Sequence, residues 1–63
     1  MYWFYTFKWR NRPRDEWEIT MNVHEGTFDE LILFMLEQKE EWKLIFAKEI
    51  SKDNYDKLLG EVG

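Results

Sequence analysis

Two segments near the N-terminus match each other as the strands of an antiparallel hairpin, and this match limits the fold more than any other feature. They read YWFYTFKWR over 2–10 and EWEITMNVH over 16–24. A register that sets Thr6 opposite Thr20 brings oppositely charged residues together on one face and apolar residues together on the other. The charged pairs are Arg10–Glu16 and Lys8–Glu18, and the apolar pairs are Trp9–Trp17, Phe7–Ile19, Tyr5–Met21 and Trp3–Val23.

This register predicts which aromatic rings are buried. It directs five of them to the core, namely Trp3, Tyr5, Phe7, Trp9 and Trp17. Tyr2 and Phe4 are left on the polar face, beside Asn22 and His24. Two outcomes are open for this pair of rings. Either a C-terminal helix covers them, or they form an exposed aromatic patch that gives a partner rigid contact area.

Length and composition indicate one small domain over 1–63 with a core of large rings. The chain has 63 residues, four Trp, five Phe, three Tyr and no cysteine. Domains this short bury roughly 60% of the surface of the unfolded chain, and they usually need disulfides, metals or bulky cores. Because disulfides are excluded here, the aromatic rings are the expected source of stability.

The segment after the hairpin is predicted to form a helix. A turn-rich loop over 11–15 joins the two hairpin strands. Thr27 and Glu30 then have the spacing of a capping box, which starts a helix over 27–39. The apolar positions of this helix share one face: Phe28, Leu31, Ile32, Phe34, Met35 and Leu36.

A third strand and a short second helix complete the predicted chain. The segment 42–50 sets four apolar residues on one strand face, which favours a strand, with helix as the competing interpretation. They are Trp42, Leu44, Phe46 and Ile50. Ser51 then caps a helix over 52–59 that ends at Gly60. The element order β-β-α-β-α indicates the α+β class.

The first strand is expected at the centre of a three-stranded sheet. It is apolar on both faces over 2–7, as a central strand would be. This predicts the strand order 2-1-3, packed against the main helix, with the third strand parallel to the first. Such a sheet resembles an abbreviated β-grasp (ubiquitin-like) arrangement. The resemblance is one of topology over residues 2–50, and it implies no function.

The residues that carry catalytic chemistry are scarce. The single Ser51 is expected to cap a helix, and the single His24 is expected to be an exposed strand-end residue opposite Tyr2, with a general base as the alternative. A carboxylate site for Mg²⁺ at Glu37, Glu40 and Glu41 is the competing interpretation of what is usually a solvated helix end. We therefore predict a non-enzymatic protein without catalytic residues, metal or cofactor.

Charge divides the chain and suggests two binding surfaces. Residues 1–14 carry four basic residues and no acid, whereas the rest carries thirteen acids and five lysines. Because Lys8 and Arg10 are predicted to be paired, Arg12 and Arg14 remain as the free cations at the hairpin tip. Arginines near aromatic rings are typical of single-strand nucleic-acid binding, but two are few for a phosphate track. Nucleic acid is therefore the alternative partner.

The outer face of the first helix is the main predicted binding surface. It combines acidic residues with one leucine, an arrangement that resembles an apolar anchor inside a charged rim. The residues are Asp29, Glu30, Leu33, Glu37, Glu40 and Glu41. Simple solubility is the competing explanation for such a face.

These features together predict a protein-binding module, an inhibitor or adaptor that occupies a partner's surface through the acidic helix. Small acidic α+β chains of this kind resemble the inhibitors and adaptors carried by bacteriophages and other mobile elements, whose targets would include proteins that handle nucleic acid. No segment is apolar enough for a membrane span, and the start lacks the features of a signal peptide, so a soluble cytoplasmic protein is expected. A homodimer through a sheet edge is also open.

Overall fold

The chain forms three strands and two helices, and the α+β class is confirmed. A computed structural model describes the backbone of residues 1–62 and the side chains of residues 1–61. The elements are β1 (Tyr2–Arg10), β2 (Glu18–Glu25), α1 (Phe28–Leu36), β3 (Glu41–Ile50) and α2 (Lys52–Val62). The first helix thus ends before the predicted 38–39. The second continues through Gly60, because one glycine costs only about 1 kcal/mol in a helix.

The strand order is β2-β1-β3, which confirms the predicted 2-1-3 sheet with β1 at its centre. The orientation predicted for the third strand is wrong, because β3 runs antiparallel to β1. β3 begins with Glu41 opposite Arg10 and ends with Ile50 opposite Tyr2. α1 and residues 37–40 carry the chain from one end of the sheet to the other before β3 begins. The likeness to the β-grasp arrangement therefore extends to strand order but not to strand direction.

The hairpin register differs from the predicted one by a single residue. Thr6 lies opposite Met21, and Phe4 lies opposite Val23. Because side chains alternate along a strand, a shift of one residue turns every β2 side chain to the other face of the sheet. The predicted pairs that do not form are Arg10–Glu16, Lys8–Glu18, Thr6–Thr20, Trp9–Trp17, Phe7–Ile19, Tyr5–Met21 and Trp3–Val23.

A helix covers each face of the sheet near Tyr2, and the burial of side chains there is the physical reason for this register. The observed register places Val23 beside Phe4, whereas the predicted one would place Asn22 there. Burying an amide without a partner costs about 1–3 kcal/mol. That cost outweighs a surface charge pair across two strands, which contributes roughly 0.2–1 kcal/mol. Arg10 forms its salt bridge with Glu41 and not with Glu16: its Nε lies 2.8 Å from Oε1 of Glu41.

The first helix packs on the face of the sheet that carries Trp3, Tyr5, Phe7 and Trp9, which we call the α1 face. Here the main core forms, and its buried members are Tyr5, Phe7, Leu31 and Met35. Burial raises the pKa of the Tyr5 phenol, so this ring is neutral in the core at ordinary pH. Trp3 and Trp9 pack against the core, as predicted.

The start of α1 confirms the predicted capping box. The Thr27 hydroxyl accepts a hydrogen bond from the amide of Glu30 at 3.1 Å, and the Glu30 carboxylate accepts one from the amide of Thr27 at 3.2 Å. The predicted apolar face of the helix is only partly buried, since Phe28, Phe34 and Leu36 are exposed. α1 has nine residues and covers only part of the long strands beneath it.

The second helix packs on the opposite face of the sheet, which carries Tyr2, Phe4, Thr6, Lys8 and Arg10 and which we call the α2 face. The hydroxyl of Ser51 accepts a hydrogen bond from the amide of Asn54 at 3.2 Å, which confirms the predicted cap. The rings of Tyr2 and Tyr55 lie 4.9 Å apart between their centroids. Phe4 lines a groove with Ile50 and Leu58. Of the two outcomes foreseen for Tyr2 and Phe4, the structure shows cover by the helix.

Candidate interaction surface

The α2 face remains open toward the hairpin tip, beyond the part that α2 covers. The first open row across the sheet consists of Met21, Thr6 and Phe46, and the next consists of Ile19, Lys8 and Lys43. Ile19 is 71% exposed, Met21 is 54% exposed, and Phe46 and the adjacent Ile45 are each 51% exposed. We call Ile19, Met21, Ile45 and Phe46 the open patch.

A β-bulge in β3 builds one side of the open patch. Phe46 pairs with Thr6 and Leu44 pairs with Phe7, so Ile45 is an extra residue without a partner in β1. The prediction that Leu44 and Phe46 share a face is wrong, because the bulge lets Leu44 pack against the core of the α1 face while Phe46 lies on the α2 face. Bulges commonly redirect side chains in this way. Ile45 and Phe46 are therefore exposed side by side.

Basic side chains surround Trp17 at the end of the open patch. Its ring lies 4.0 Å from the Arg10 guanidinium, 4.7 Å from the Lys8 ammonium and 5.8 Å from that of Lys43. Cation–π contacts of this kind stabilise exposed pairs by about 0.5–1 kcal/mol. The prediction that Trp17 belongs to the main core is wrong, because Trp17 lies among the cations of the α2 face.

The two sides of the sheet differ in charge. The α2 face carries four basic residues, Lys8, Arg10, Lys43 and Lys48, and two acidic residues, Glu25 and Glu41. The helix on the other side carries Asp29 and Glu30 in its first turn and no basic residue in its last. A chain with a formal net charge of −4 thus presents a basic, partly apolar face.

The six residues of the predicted acidic helix surface do not share one helix face. Asp29, Glu30 and Leu33 lie in α1, and Glu37 is its C-terminal cap. Glu40 follows the helix, and Glu41 lies in β3, where its carboxylate binds Arg10. Early termination of the helix is the physical reason. The helix itself therefore carries only part of the surface that the sequence predicts.

Local pairing also changes the hairpin tip, where Arg12 and Arg14 are predicted to be free cations. Arg12 is not free, because its Nε lies 3.4 Å from Oδ2 of Asp15 and its backbone amide donates to the same oxygen. Arg14 is exposed. Trp9 and Trp17 line a groove of about 480 Å³ at this end of the hairpin. The principal group of cations lies on the sheet, around Trp17.

His24 lies opposite Trp3, not opposite Tyr2 as predicted. It is half-buried, its ring is 6.1 Å from that of Phe34, and its Nε2 is buried without a hydrogen-bond partner among the described residues. Across residues 1–61, no three His, Asp or Glu side chains converge as metal ligands would. Neither described helix has the length and apolar character required to cross a membrane.

Sequence reasoning missed the whole open patch. Ile19 and Met21 were directed to the core by the incorrect register. The sequence does carry a signal for Ile45 and Phe46. The run Leu44-Ile45-Phe46-Ala47 breaks the alternation expected of a strand, and such a break is typical of a bulge. No family model, curated protein or solved structure matches this chain.

Proposed function

We propose that the protein is a non-enzymatic binding module that occupies the surface of another protein through the open patch. The exposure of Ile19, Met21, Ile45 and Phe46 on one side of the sheet carries this proposal. Ile19 and Met21 lie on one side of Thr6 and Lys8, and Ile45 and Phe46 lie on the other. Large exposed apolar side chains gathered on one face, with polar surroundings, are characteristic of interaction sites. A small inhibitor or adaptor, of the kind that bacteriophages carry, is the form of this function that the short acidic chain favours.

The composition of the surface supports a protein partner. Aliphatic and thioether side chains make up most of the open patch, and such side chains fill pockets on another protein but do not stack on bases. Phe46 is the expected anchor, because aromatic residues dominate binding energy when they are buried at the centre of an interface. Met21, which is flexible and polarizable, can adapt to the shape of the partner.

The charges around the open patch indicate the chemistry of the partner. Lys8 and Lys43 lie in the same row of the sheet as Ile19, whereas Arg10 lies in the next row and is paired with Glu41. A partner surface with apolar residues and carboxylates would be complementary to the two lysines. Opposite charges across an interface speed association and exclude wrong partners. We therefore expect an acidic amphipathic partner. The rate of association should fall as salt concentration rises.

The substitution Phe46→Glu tests this proposal. It places a carboxylate on the β3 side of the open patch, and we expect capture of the partner from a lysate of the native host to fall at least about tenfold, since a buried unpaired charge costs several kcal/mol. The measurement is quantitative mass spectrometry after pull-down with the wild-type chain and with the variant. Circular dichroism verifies that the variant is folded.

The matched control is Leu33→Glu, which changes an exposed apolar residue on the opposite side of the molecule. We expect this variant to capture the same partner as the wild type. If Leu33→Glu or Glu37→Lys abolishes capture while Phe46→Glu has no effect, the acidic helix is the binding surface and the open patch is not.

Nucleic-acid binding is a second candidate, favoured by the three cations around Trp17. Trp17 is half-buried, and an aromatic ring beside cations is the usual platform for single strands. Fluorescence anisotropy with a labelled single-stranded oligonucleotide would support this function if affinity fell steeply with salt. The double substitution Lys8→Glu with Lys43→Glu should then abolish binding, whereas Phe46→Leu should preserve it.

A further inference from the structure

β2 is the less protected edge of the sheet. Proteins usually shield an edge strand with bulges, prolines or lysines. β3, the other edge, has the bulge at Ile45 and exposes Lys43 and Lys48. β2 reads EITMNVHE, contains neither proline nor lysine, and pairs with β1 over its whole length without a bulge. In the part of the chain that the structure describes, no strand lies beyond it.

The hydrogen-bond pattern identifies which β2 residues present their backbone to this edge. The amide of Gly26 donates to the carbonyl of Met1 at 2.8 Å, which makes these two residues a hydrogen-bonded pair of the antiparallel ladder. Such pairs alternate with pairs whose backbone groups point away from each other. By this alternation, Ile19, Met21 and Val23 direct their N–H and C=O groups away from β1.

One of these outward amides already has a partner. The amide of Val23 donates to Oδ1 of Asn22 at 2.8 Å, which agrees with its outward direction and blocks it as a donor. Ile19 and Met21 keep both outward groups available for another strand. These are the same two residues whose side chains are largely exposed on the open patch.

We propose that two copies of the chain associate through antiparallel pairing of their β2 strands, with Ile19 of each copy opposite Met21 of the other. This register uses every available outward group of Ile19 and Met21 and gives four interchain N–H···O=C bonds. Thr20 then faces Thr20 across the two-fold axis, and Glu18 faces Asn22. The product is a continuous six-stranded sheet in which each Ile19 side chain covers a Met21 side chain.

Charge favours this edge over a face-to-face dimer. Stacking two α2 faces would bring Lys8 and Lys43 of both copies together, and like charges in close contact are unfavourable. Within the paired segment 18–22, the proposed register sets no like charges directly opposite each other. The edge is also self-complementary, as a two-fold interface must be.

The substitution Met21→Pro tests the proposed dimer. Proline removes an outward N–H that is not bonded to β1, so the hairpin should survive, as edge strands tolerate proline at such positions. Both copies lose a bond, and we expect the dissociation constant measured by sedimentation equilibrium to rise at least about tenfold. Met21→Val, which keeps the N–H, should still dimerise.

A cysteine cross-link provides a second readout that does not depend on proline. The chain has no cysteine, so Thr20→Cys introduces a single thiol, placed opposite its own copy across the axis. Facing residues at such positions have Cβ atoms about 4.5–5.5 Å apart, close enough for a disulfide after a small shift. Under mild oxidation, Thr20→Cys should give a linked dimer rapidly. The control Glu18→Cys, which faces Asn22, should do so much more slowly.

Other results would overturn the inference. A wild-type chain that stays monomeric at high concentration would do so, as would equal cross-linking of Thr20→Cys and Glu18→Cys. A dimer that survives Met21→Pro but dissociates with Phe46→Glu would show pairing through the faces. Because Phe46 is remote from the β2 edge, Phe46→Glu should leave the dimer intact, and this separates failure of the dimer from failure of the proposed function.

Discussion

Phe7→Ala is expected to lower the free energy of unfolding by about 3–5 kcal/mol, a large part of the roughly 5–15 kcal/mol that holds a domain folded. Phe7 is 3% exposed, and its ring stacks on Trp42 with centroids 4.2 Å apart. It also lies 5.4 Å from the ring of Tyr5. Truncation removes both aromatic contacts and leaves a cavity at the centre of the core. Urea denaturation followed by circular dichroism measures the loss.

Ile19→Ala is the matched comparison, because the register that the sequence favours would place Ile19 opposite Phe7 in the core. In the structure, Ile19 pairs with Lys8 and is 71% exposed. We therefore expect its truncation to change the free energy of unfolding by no more than about 0.5 kcal/mol, measured where the chain is monomeric. A loss of the size found for Phe7→Ala would mean that Ile19 is buried and that the structural register is incorrect.

Leu31→Ala is the second substitution with a large expected effect, a loss of about 2–5 kcal/mol. The Leu31 side chain is fully buried and joins α1 to the core rings Tyr5 and Phe7. In a domain of this size, each kcal/mol lowers the melting temperature by roughly 4–8 °C. Thermal denaturation should therefore show a marked decrease in melting temperature. The variant will be partly unfolded if the unfolding free energy of the wild type lies at the low end of the range for small domains.

Leu36→Ala provides the control on the same helix. Leu36 is 74% exposed, so the same truncation should alter stability by no more than about 0.5 kcal/mol. Both substitutions remove the same atoms and leave similar helix propensity. Equal effects of the two would contradict the packing of α1, since they would show that Leu31 and Leu36 are buried to the same extent.

Local features of this fold were predictable from the sequence because they depend on residues close together in the chain. The capping box at Thr27 and Glu30 and the cap at Ser51 need only three residues of separation. The central place of β1 follows from its two apolar faces. These signals determined the element order and the strand order correctly.

The hairpin register could not be derived in the same way. Because β1 is apolar on both faces over 2–7, either register brings apolar residues together, and the exposed charge pairs that favoured one of them are weak. The deciding contact is distant in sequence: α2 covers Val23 and Phe4 from the far end of the chain. Arg10 likewise binds Glu41, a residue of β3, in place of Glu16.

The open patch was not predicted because it depends on the hairpin register. A one-residue shift moved Ile19 and Met21 from the predicted core to the surface, and the bulge at Ile45 brought Phe46 beside them. The acidic surface of α1 is smaller than predicted because the helix ends at Leu36 and Glu41 lies in a strand. The patch thus depends on long-range pairing, which local sequence patterns do not determine.

Nuclear Overhauser effects between α-protons test the register most directly, and with it the existence of the open patch. Pairs that lack mutual hydrogen bonds in an antiparallel ladder have Cα atoms about 4.5 Å apart, so their α-protons are in close contact. The structure predicts strong effects between Thr6 and Met21 and between Phe4 and Val23. Strong effects between Thr6 and Thr20 or between Phe4 and Asn22 would contradict it, since they would return Ile19 and Met21 to the core.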